Sequence, residues 1–403
     1  MNEPKMTVVI PTRERCDVLE KALQTVTVQD YDNLEILVSD NYSRDRTEDV
    51  VRAANDRRIR YVNTGKRLSM SHNWEFALSH VSEGWATIIG DDDGLLPGSL
   101  NKVAAIIQAT GVQAVRSTVC QYQWPSMTGT DFGLLSIPLG IGYQVRDSEA
   151  WLARVMNGQA GYTELPMLYN GGFVSVPVLQ EIARKSGAVY RSCIPDVYSA
   201  IAISSALRMY VYSREPLALN GASRHSIGTS QFSTRQPSMC SPAEKFRSEA
   251  NMPFHEDIPL QRNGDYPPSI QAFVYESYLQ SACLRGAVPR GMHAQQLELI
   301  LAKPGARGGS VEDWARIFAA KHGLDYDGIR QKARLRKSAS GLMSIPGLID
   351  RTFRSCSVGS RDLPIRDVYE ASACVSAIRE APPPRFGELC RKLRRAARRL
   401  VGG

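Results

Sequence analysis

The chain lacks a long apolar run. No segment reaches the ~18 residues a membrane-spanning helix needs. The longest candidate, Val197 to Val211, is broken by Ser199, Ser204, Ser205 and Arg208. The opening stretch, Met1 to Arg15, holds no apolar segment of signal-peptide length. The expected compartment is therefore the cytoplasm. Paired cysteine motifs are also missing. The eight cysteines (Cys16, Cys120, Cys193, Cys240, Cys283, Cys356, Cys374 and Cys390) show no CxxC spacing, and no histidine clusters with them. That pattern gives neither a zinc site nor a disulfide framework, and it suits buried thiols acting as small hydrophobes. No GxGxxG follows a strand, which excludes a dinucleotide-dependent oxidoreductase.

Net charge is scarce outside one place. The net charge is +8, yet the segment 385–403 alone carries seven basic residues against Glu388. A nearly neutral body with a basic tail argues against a broad nucleic-acid-binding face and for one local anionic partner.

What the chain does contain is ordinary globular composition, 43% hydrophobic and 22% charged over 403 residues. At roughly 150 residues per domain, two or three domains are expected. The first 118 residues alternate in pattern. Strand-like runs at Thr7–Pro11, Leu34–Val38, Ile59–Asn63, Trp85–Gly90 and Val112–Ser117 are separated by helical periodicity. Asp17–Gln29 sets Leu19, Ala22, Leu23 and Val26 on one face, and Ser71–Val81 does the same with Trp74, Ala77, Leu78 and Val81. Further helical segments are read at Arg46–Ala54 and from Pro97 to about Gln108. The alternation predicts an α/β fold, a mostly parallel sheet with flanking helices. Ser226–Ser269, rich in Ser, Pro, Gln and Gly, reads as a loop or linker. Beyond it, Ile270–Arg285, Ala294–Ala302, Val311–Ala320 and Asp362–Arg379 read as helices. The expected organisation is an α/β domain over 1–225, a linker over 226–269 and a mainly α-helical C-terminal region over 270–403.

Ligands of such sheets bind at the carboxyl ends of the strands. Three short motifs fall there: Pro11-Thr12-Arg13, Asp40-Asn41 and Asp91-Asp92-Asp93. Three successive carboxylates repel one another unless solvent or a cation attends them. Hard cations such as Mg²⁺ or Mn²⁺ take carboxylate and phosphate oxygens together. The same acids could equally form an acidic turn capping the helix near Pro97.

Val8-Val9-Ile10-Pro11-Thr12-Arg13, then Leu34 to Asn41 (LEILVSDN), then Ile89-Gly90-Asp91-Asp92-Asp93 with Leu96-Pro97, resembles the family 2 glycosyltransferases with the GT-A fold. Arg60-Tyr61-Val62 and Asn73-Trp74 fit between them. The resemblance covers about the first 120 residues and extends weakly to about residue 225. It implies a Rossmann-like domain that binds a nucleotide-sugar. Pro11, Thr12, Arg13, Asp40 and Asn41 would hold the nucleoside, with Lys66 and Asn73 beside them. Asp91 and Asp92 would meet the ribose and diphosphate. Asp93, with Asp91 and a late His225, would hold Mn²⁺ or Mg²⁺. The family often writes the acidic element DxDD, and Gly90 takes its first position here, so the division of roles among the three acids stays open.

The resemblance also implies an acceptor base, and Asp196, opening an apolar helix, is the candidate; an N-cap aspartate would look the same. Asp131 and Glu164 are weaker candidates. Tyr122 and Trp124 would stack on a sugar or merely pack, and Tyr169-Asn170-Gly171-Gly172 would form an acceptor loop. Thr12 and Asp40 are also good caps, and Arg13, Lys66 and His225 are residue types that solvent readily accommodates.

The tail brings Leu389, Leu393, Ala396 or Ala397, and Leu400 together at helical spacing among its basic residues. Such a helix suits peripheral contact with an anionic membrane, or docking on its own protein. The reading is thus a metal-dependent, inverting glycosyltransferase. It would move a sugar from a nucleotide-sugar (UDP first, dTDP or GDP next) to a glycan or lipid-linked acceptor, with an oligomer possible. A sugar nucleotidylyltransferase is excluded by the lack of glycine after the first strand. A catalytically silent nucleotide-sugar-binding scaffold recruited to a membrane is the alternative from another class.

Overall fold

A computed structural model describes residues 3–225, 249–304, 308–342, 355–358 and 364–380. The expected tail helix of 385–403, the stretch 226–248 of the expected linker, and Cys240 and Cys390 lie outside the described residues.

The alternation read from the first 118 residues is present. β1 (Met6–Thr12), α1 (Cys16–Thr27), β2 (Leu34–Asp40), α2 (Thr47–Ala53), β3 (Ile59–Asn63), α3 (Met70–Leu78), β4 (Trp85–Ile88) and α4 (Ser99–Thr110) follow in order, with a two-residue strand β5 (Gly94–Leu95) before α4. β3, β2, β1 and β4 pair in parallel. β1 shows why Val8, Val9 and Ile10 are apolar in succession. Met6, Val8 and Ile10 join the cluster under α1 and α4, while Val9 joins the one under α3, so both sides of the strand leave water.

Beyond β4 the sheet is mixed. It adds β6 (Ala114–Gln123), β7 (Leu134–Pro138), β8 (Tyr143–Asp147), β9 (Gly172–Ser175) and β10 (Met209–Ala222), with short helix α5 (Pro125–Thr128) and helix α6 (Ser148–Met156) among them. β9 runs antiparallel to β4 and β6, while β10 runs parallel to β6 and antiparallel to β5 and β8. The sequence concealed β10 because Arg214-Glu215-Pro216 interrupts it. The register shifts between Ser213 and Ala218, where proline cannot donate to the ladder.

Helix α7 (Val176–Ser186) leads to α8 (Pro195–Ala206), which is buried nearly all round. Its Tyr198, Ala202 and Ile203 pack toward the sheet, and its Val197, Ala200 and Ile201 pack toward the C-terminal helices. A helix apolar on every face belongs inside a protein or a membrane, and here the protein encloses it. No helix among the described residues is long and apolar enough to cross a membrane. The C-terminal helices are α9 (Ile270–Gln280), α10 (Met292–Ala302), α11 (Gly308–Lys321), α12 (Tyr326–Leu342) and α13 (Val368–Glu380). Phe273, Leu297, Trp314 and Phe318 share one core with Leu152, Met167 and Ile201. The C-terminal region is not purely helical, since β11 (Ser355–Val358) extends the sheet from β7. Cys120 and Cys193 are buried as expected, whereas Cys283 is exposed.

Inside this shared core lies Glu276, fully buried on α9. It accepts the Ser192 hydroxyl at 2.6 Å and the His255 N–H at 3.2 Å. Burial pushes its carboxyl from 4.5 up to about 7. Between those pH values the folded chain keeps a proton that the unfolded chain has lost. The stability from this group is full below pH ~4.5 and is lost as pH rises through ~7, by a few kcal/mol at about 1.4 kcal/mol per pKa unit. Glu276→Gln keeps the shape, and Ser192 can turn to accept the new amide. Urea unfolding from pH 5 to 8 should show a shallower fall with pH in the variant; parallel profiles would refute the assignment.

Candidate active site

The strand order brings the ends of β1, β2 and β4 side by side, with β10 alongside the acidic turn. Asp91, Asp92 and Asp93 follow β4 in a tight turn closed by the Asp93 N–H on the Gly90 carbonyl at 3.2 Å. All three are buried, yet each is held differently. Asp93 accepts three hydrogen bonds: Gly90 N–H at 2.8 Å, Gly221 N–H at 2.7 Å and the Tyr169 hydroxyl at 2.7 Å. Asp91 accepts Thr12 Oγ1 at 2.9 Å and pairs with Arg15 at 2.9 Å. Asp92 accepts the Ser223 hydroxyl at 2.6 Å, and its backbone carbonyl accepts Trp124 Nε1 at 3.0 Å. Exposure separates them, at 6% for Asp92 and 1% for the other two.

Burial, reinforced by the charge of Asp92, pushes Asp93 up to about 7. Burial also raises Asp91, against the opposing pull of Arg15. Three carboxylates grouped this closely present the oxygen donors that a hard divalent cation takes. Asp93 spends its oxygens on backbone and tyrosine donors that shape the turn. Asp92 is the most exposed of the three by a small margin.

At the end of β2, Asp40 accepts the Ser43 N–H at 2.9 Å, the Tyr61 hydroxyl at 2.5 Å and Asn63 Nδ2 at 3.0 Å. Asn41 ties the next loop in place through the Leu68 carbonyl at 2.7 Å and the Leu68 N–H at 2.8 Å. Lys66 lines an open cavity of about 350 Å³ with Glu14, Tyr42, Arg44, Gly65 and Arg67, at the outer edge of these loops. Pro11 sits in β1 opposite Ser39.

Three of the residues expected to bind turn elsewhere. Arg13 pairs with Glu249. Asn73 is buried under the sheet, accepting Ser39 Oγ at 3.0 Å. His225 brings its carbonyl to Arg15 at 2.7 Å, but its ring lies 3.1 Å from Asp17 at the start of α1. The imidazole is therefore engaged by Asp17, where a metal-ligand role would need it to meet a carboxylate of the acidic turn.

Arg15 is the residue the sequence reading passed over. Glu14 adopts a left-handed φ of 52°, so the chain turns between Arg13 and Arg15 and sends only the second to Asp91. Tyr122 and Trp124 pack on each other edge to face at 5.9 Å, both buried, so neither is a sugar platform. Tyr169, expected in an acceptor loop, instead bonds Asp93. The Tyr169 and Asn170 carbonyls are held in turn by the buried Arg116 guanidinium at 3.2 and 2.6 Å.

Asp196 lies in the first turn of α8 after Pro195, and its Oδ2 accepts the Tyr162 hydroxyl at 3.3 Å. Burial raises its carboxyl above the usual range, against bonds from helix N–H groups and Tyr162. The charges of Asp92, Asp93 and Asp196 all act on the Tyr169 hydroxyl, raising it further than burial alone. Glu164 pairs with Arg146 at 2.9 Å, and Asp131 is exposed on the α5–β7 loop.

Residues 7–143 match the family described as Glycosyl transferase family 2. This stretch is a family 2 glycosyltransferase domain. Over 101 residues the chain is 39% identical to the GalNAc(5)-diNAcBac-PP-undecaprenol beta-1,3-glucosyltransferase of Campylobacter jejuni, covering 24% of this chain and 33% of that one. Over 76 residues it is 41% identical to the validoxylamine A glucosyltransferase of Streptomyces hygroscopicus, covering 17% of this chain and 18% of that one. The matches thus span a third or less of these curated relatives. Among solved structures, S. aureus TarS 1-349 with UDP-GlcNAc aligns over 83% of this chain and 92% of that chain, at 14% identity and a TM-score of 0.48.

The acidic turn of this glycosyltransferase domain depends on backbone close approach from β10. A Cβ at Gly221 would lie 1.7 Å from the Asp92 carbonyl oxygen and 2.9 Å from Trp124 Nε1. Gly221→Ala should therefore lower stability by about 1–3 kcal/mol and shift tryptophan emission, as Trp124 loses its carbonyl partner. Wild-type emission and an unchanged unfolding midpoint would show that β10 does not hold the turn.

Proposed function

We propose that the chain transfers a sugar from a nucleotide-sugar, UDP-linked first, to a hydroxyl of a glycan or lipid-linked acceptor, with inversion. The observation that carries the reading is the convergence of Thr12, Arg15, Asp40 and the Asp91–Asp93 turn at neighbouring strand ends within a family 2 glycosyltransferase domain.

Asp40, with its Tyr61 and Asn63 partners, would face the base, and Asp91 the ribose. Asp92 and Asp91 would hold Mn²⁺ or Mg²⁺. Bound there, the cation would stabilise the negative charge that builds on the diphosphate leaving group. Arg15 balances Asp91 and keeps that carboxylate in one orientation. Asp196 would remove the acceptor hydroxyl's proton while the acceptor oxygen bonds the anomeric carbon and the bond from that carbon to phosphate breaks. Burial that raises the Asp196 carboxyl makes it a stronger base than a surface aspartate. Tyr162, donating to Oδ2, orients it.

Calorimetric titration with UDP, dTDP and GDP, each with Mn²⁺, Mg²⁺ or EDTA, tests the donor half. One nucleotide should bind only with cation, and Asp92→Asn should weaken it at least tenfold. Failure of all three to bind the wild type overturns the donor assignment. Asp196→Asn tests the acceptor half. Donor binding should persist while transfer falls about 10²–10⁴-fold; retained transfer would remove Asp196 as base.

A further inference from the structure

Three of the six histidines, His255, His293 and His322, gather around one carboxylate far from the acidic turn in sequence. Asp257 lies on the irregular segment that precedes α9, His293 on α10, and His322 just past the end of α11. One ligand atom from each of Asp257, His293 and His322 lies within 4.8 Å of the others. Asp257 Oδ2 is 4.0 Å from His293 Nε2, and the two rings stack with centroids 4.0 Å apart at 20°. All three residues are half-buried, so water and ions can reach them.

The remaining ring nitrogens are already engaged. The Tyr275 hydroxyl meets His293 Nδ1 at 2.8 Å, which turns Nε2 toward Asp257. The Asp257 carbonyl meets His322 Nε2 at 2.7 Å, which leaves Nδ1 as that ring's other nitrogen. Outer hydrogen bonds that set the tautomer and angle of an imidazole are the usual support of a metal-ligating histidine. His255 takes a different part, accepting the Asp257 N–H on Nδ1 at 3.2 Å. Lys321, at the end of α11, donates to the Glu256 carbonyl.

We propose that Asp257, His293 and His322 form a binding site for a borderline divalent transition ion of the zinc type, separate from the acidic turn. Two imidazoles and one carboxylate select such an ion over Mg²⁺ or Ca²⁺, which prefer oxygen donors throughout. Three protein ligands leave a fourth position for water. The ion would clamp the segment 249–258 onto α10 and α11. That segment is already held at two other points, since Glu249 pairs with Arg13 beside the strand-end cluster and the His255 N–H bonds Glu276 inside the shared core. The site therefore braces the strap that links the helical region to the loop after β1.

The test uses the full chain, stripped with EDTA and dialysed, in an Asp92→Asn background so that the acidic turn is not counted. Zn²⁺ should bind at one equivalent and raise the unfolding temperature. Co²⁺ should give visible d–d bands that Zn²⁺ bleaches and excess Mg²⁺ does not. His293→Gln and Asp257→Asn should each weaken Zn²⁺ binding at least tenfold and abolish the bands. Circular dichroism checks their folding, and either variant alone carries the result if the other misfolds. Substoichiometric Zn²⁺ binding, or Co²⁺ bands that persist unchanged in both variants, overturns the proposal. Neither outcome bears on sugar transfer, because nucleotide binding is not read.

Discussion

Three consecutive carboxylates buried at the end of β4 would force this part of the chain open if nothing met them. The turn survives because donors from four other places among the described residues converge on it. Thr12 and Arg15 come from the end of β1, Tyr169 from the connection into β9, Gly221 and Ser223 from the end of β10, and Trp124 from the end of β6. Much of the fold can be seen as a means of delivering them. Parallel pairing of β1 with β4 places Thr12 and Arg15. The long bent β10, running beside both β5 and β6, brings Gly221 close enough that no side chain fits.

The second organising element is α8. Its apolar faces are shared between the sheet core and the helical core, so the helical region is packed into the α/β domain rather than tethered to it. Asp196 starts this helix, with Tyr162 on one side and the field of the acidic turn reaching the same neighbourhood through Tyr169. A carboxylate placed there is fixed by a helix buried nearly all round. The segment 249–258 adds a further tie across the molecule. Glu249 meets Arg13, His255 meets Glu276, and Asp257 faces two histidines of the helical region.

The early strands and helices were legible because periodicity alone specifies them. Two-faced burial gives β1 and β2 their runs of consecutive apolar residues, Val8 to Ile10 and Ile36 to Val38, and α1 shows its buried stripe at the positions its spacing marks. β8 and β10 were not legible. β8 is largely exposed with a single buried position, and β10 carries a proline at its register shift. Asp40 and Asp91 were legible as strand-end acids. The choice of Arg15 over Arg13 was not, since it turns on the left-handed backbone of Glu14.

By itself the sequence determined the α/β alternation, the three strand-end motifs and the all-round apolar character of α8, because these depend only on local spacing and residue type. Tertiary structure alone decided how each of the three carboxylates is held, since that depends on where Gly221, Tyr169 and Ser223 arrive from far along the chain. It decided that His225 serves Asp17. It also decided that Asp257, His293 and His322 meet, a juxtaposition with no signature in sequence spacing because each residue comes from a different element.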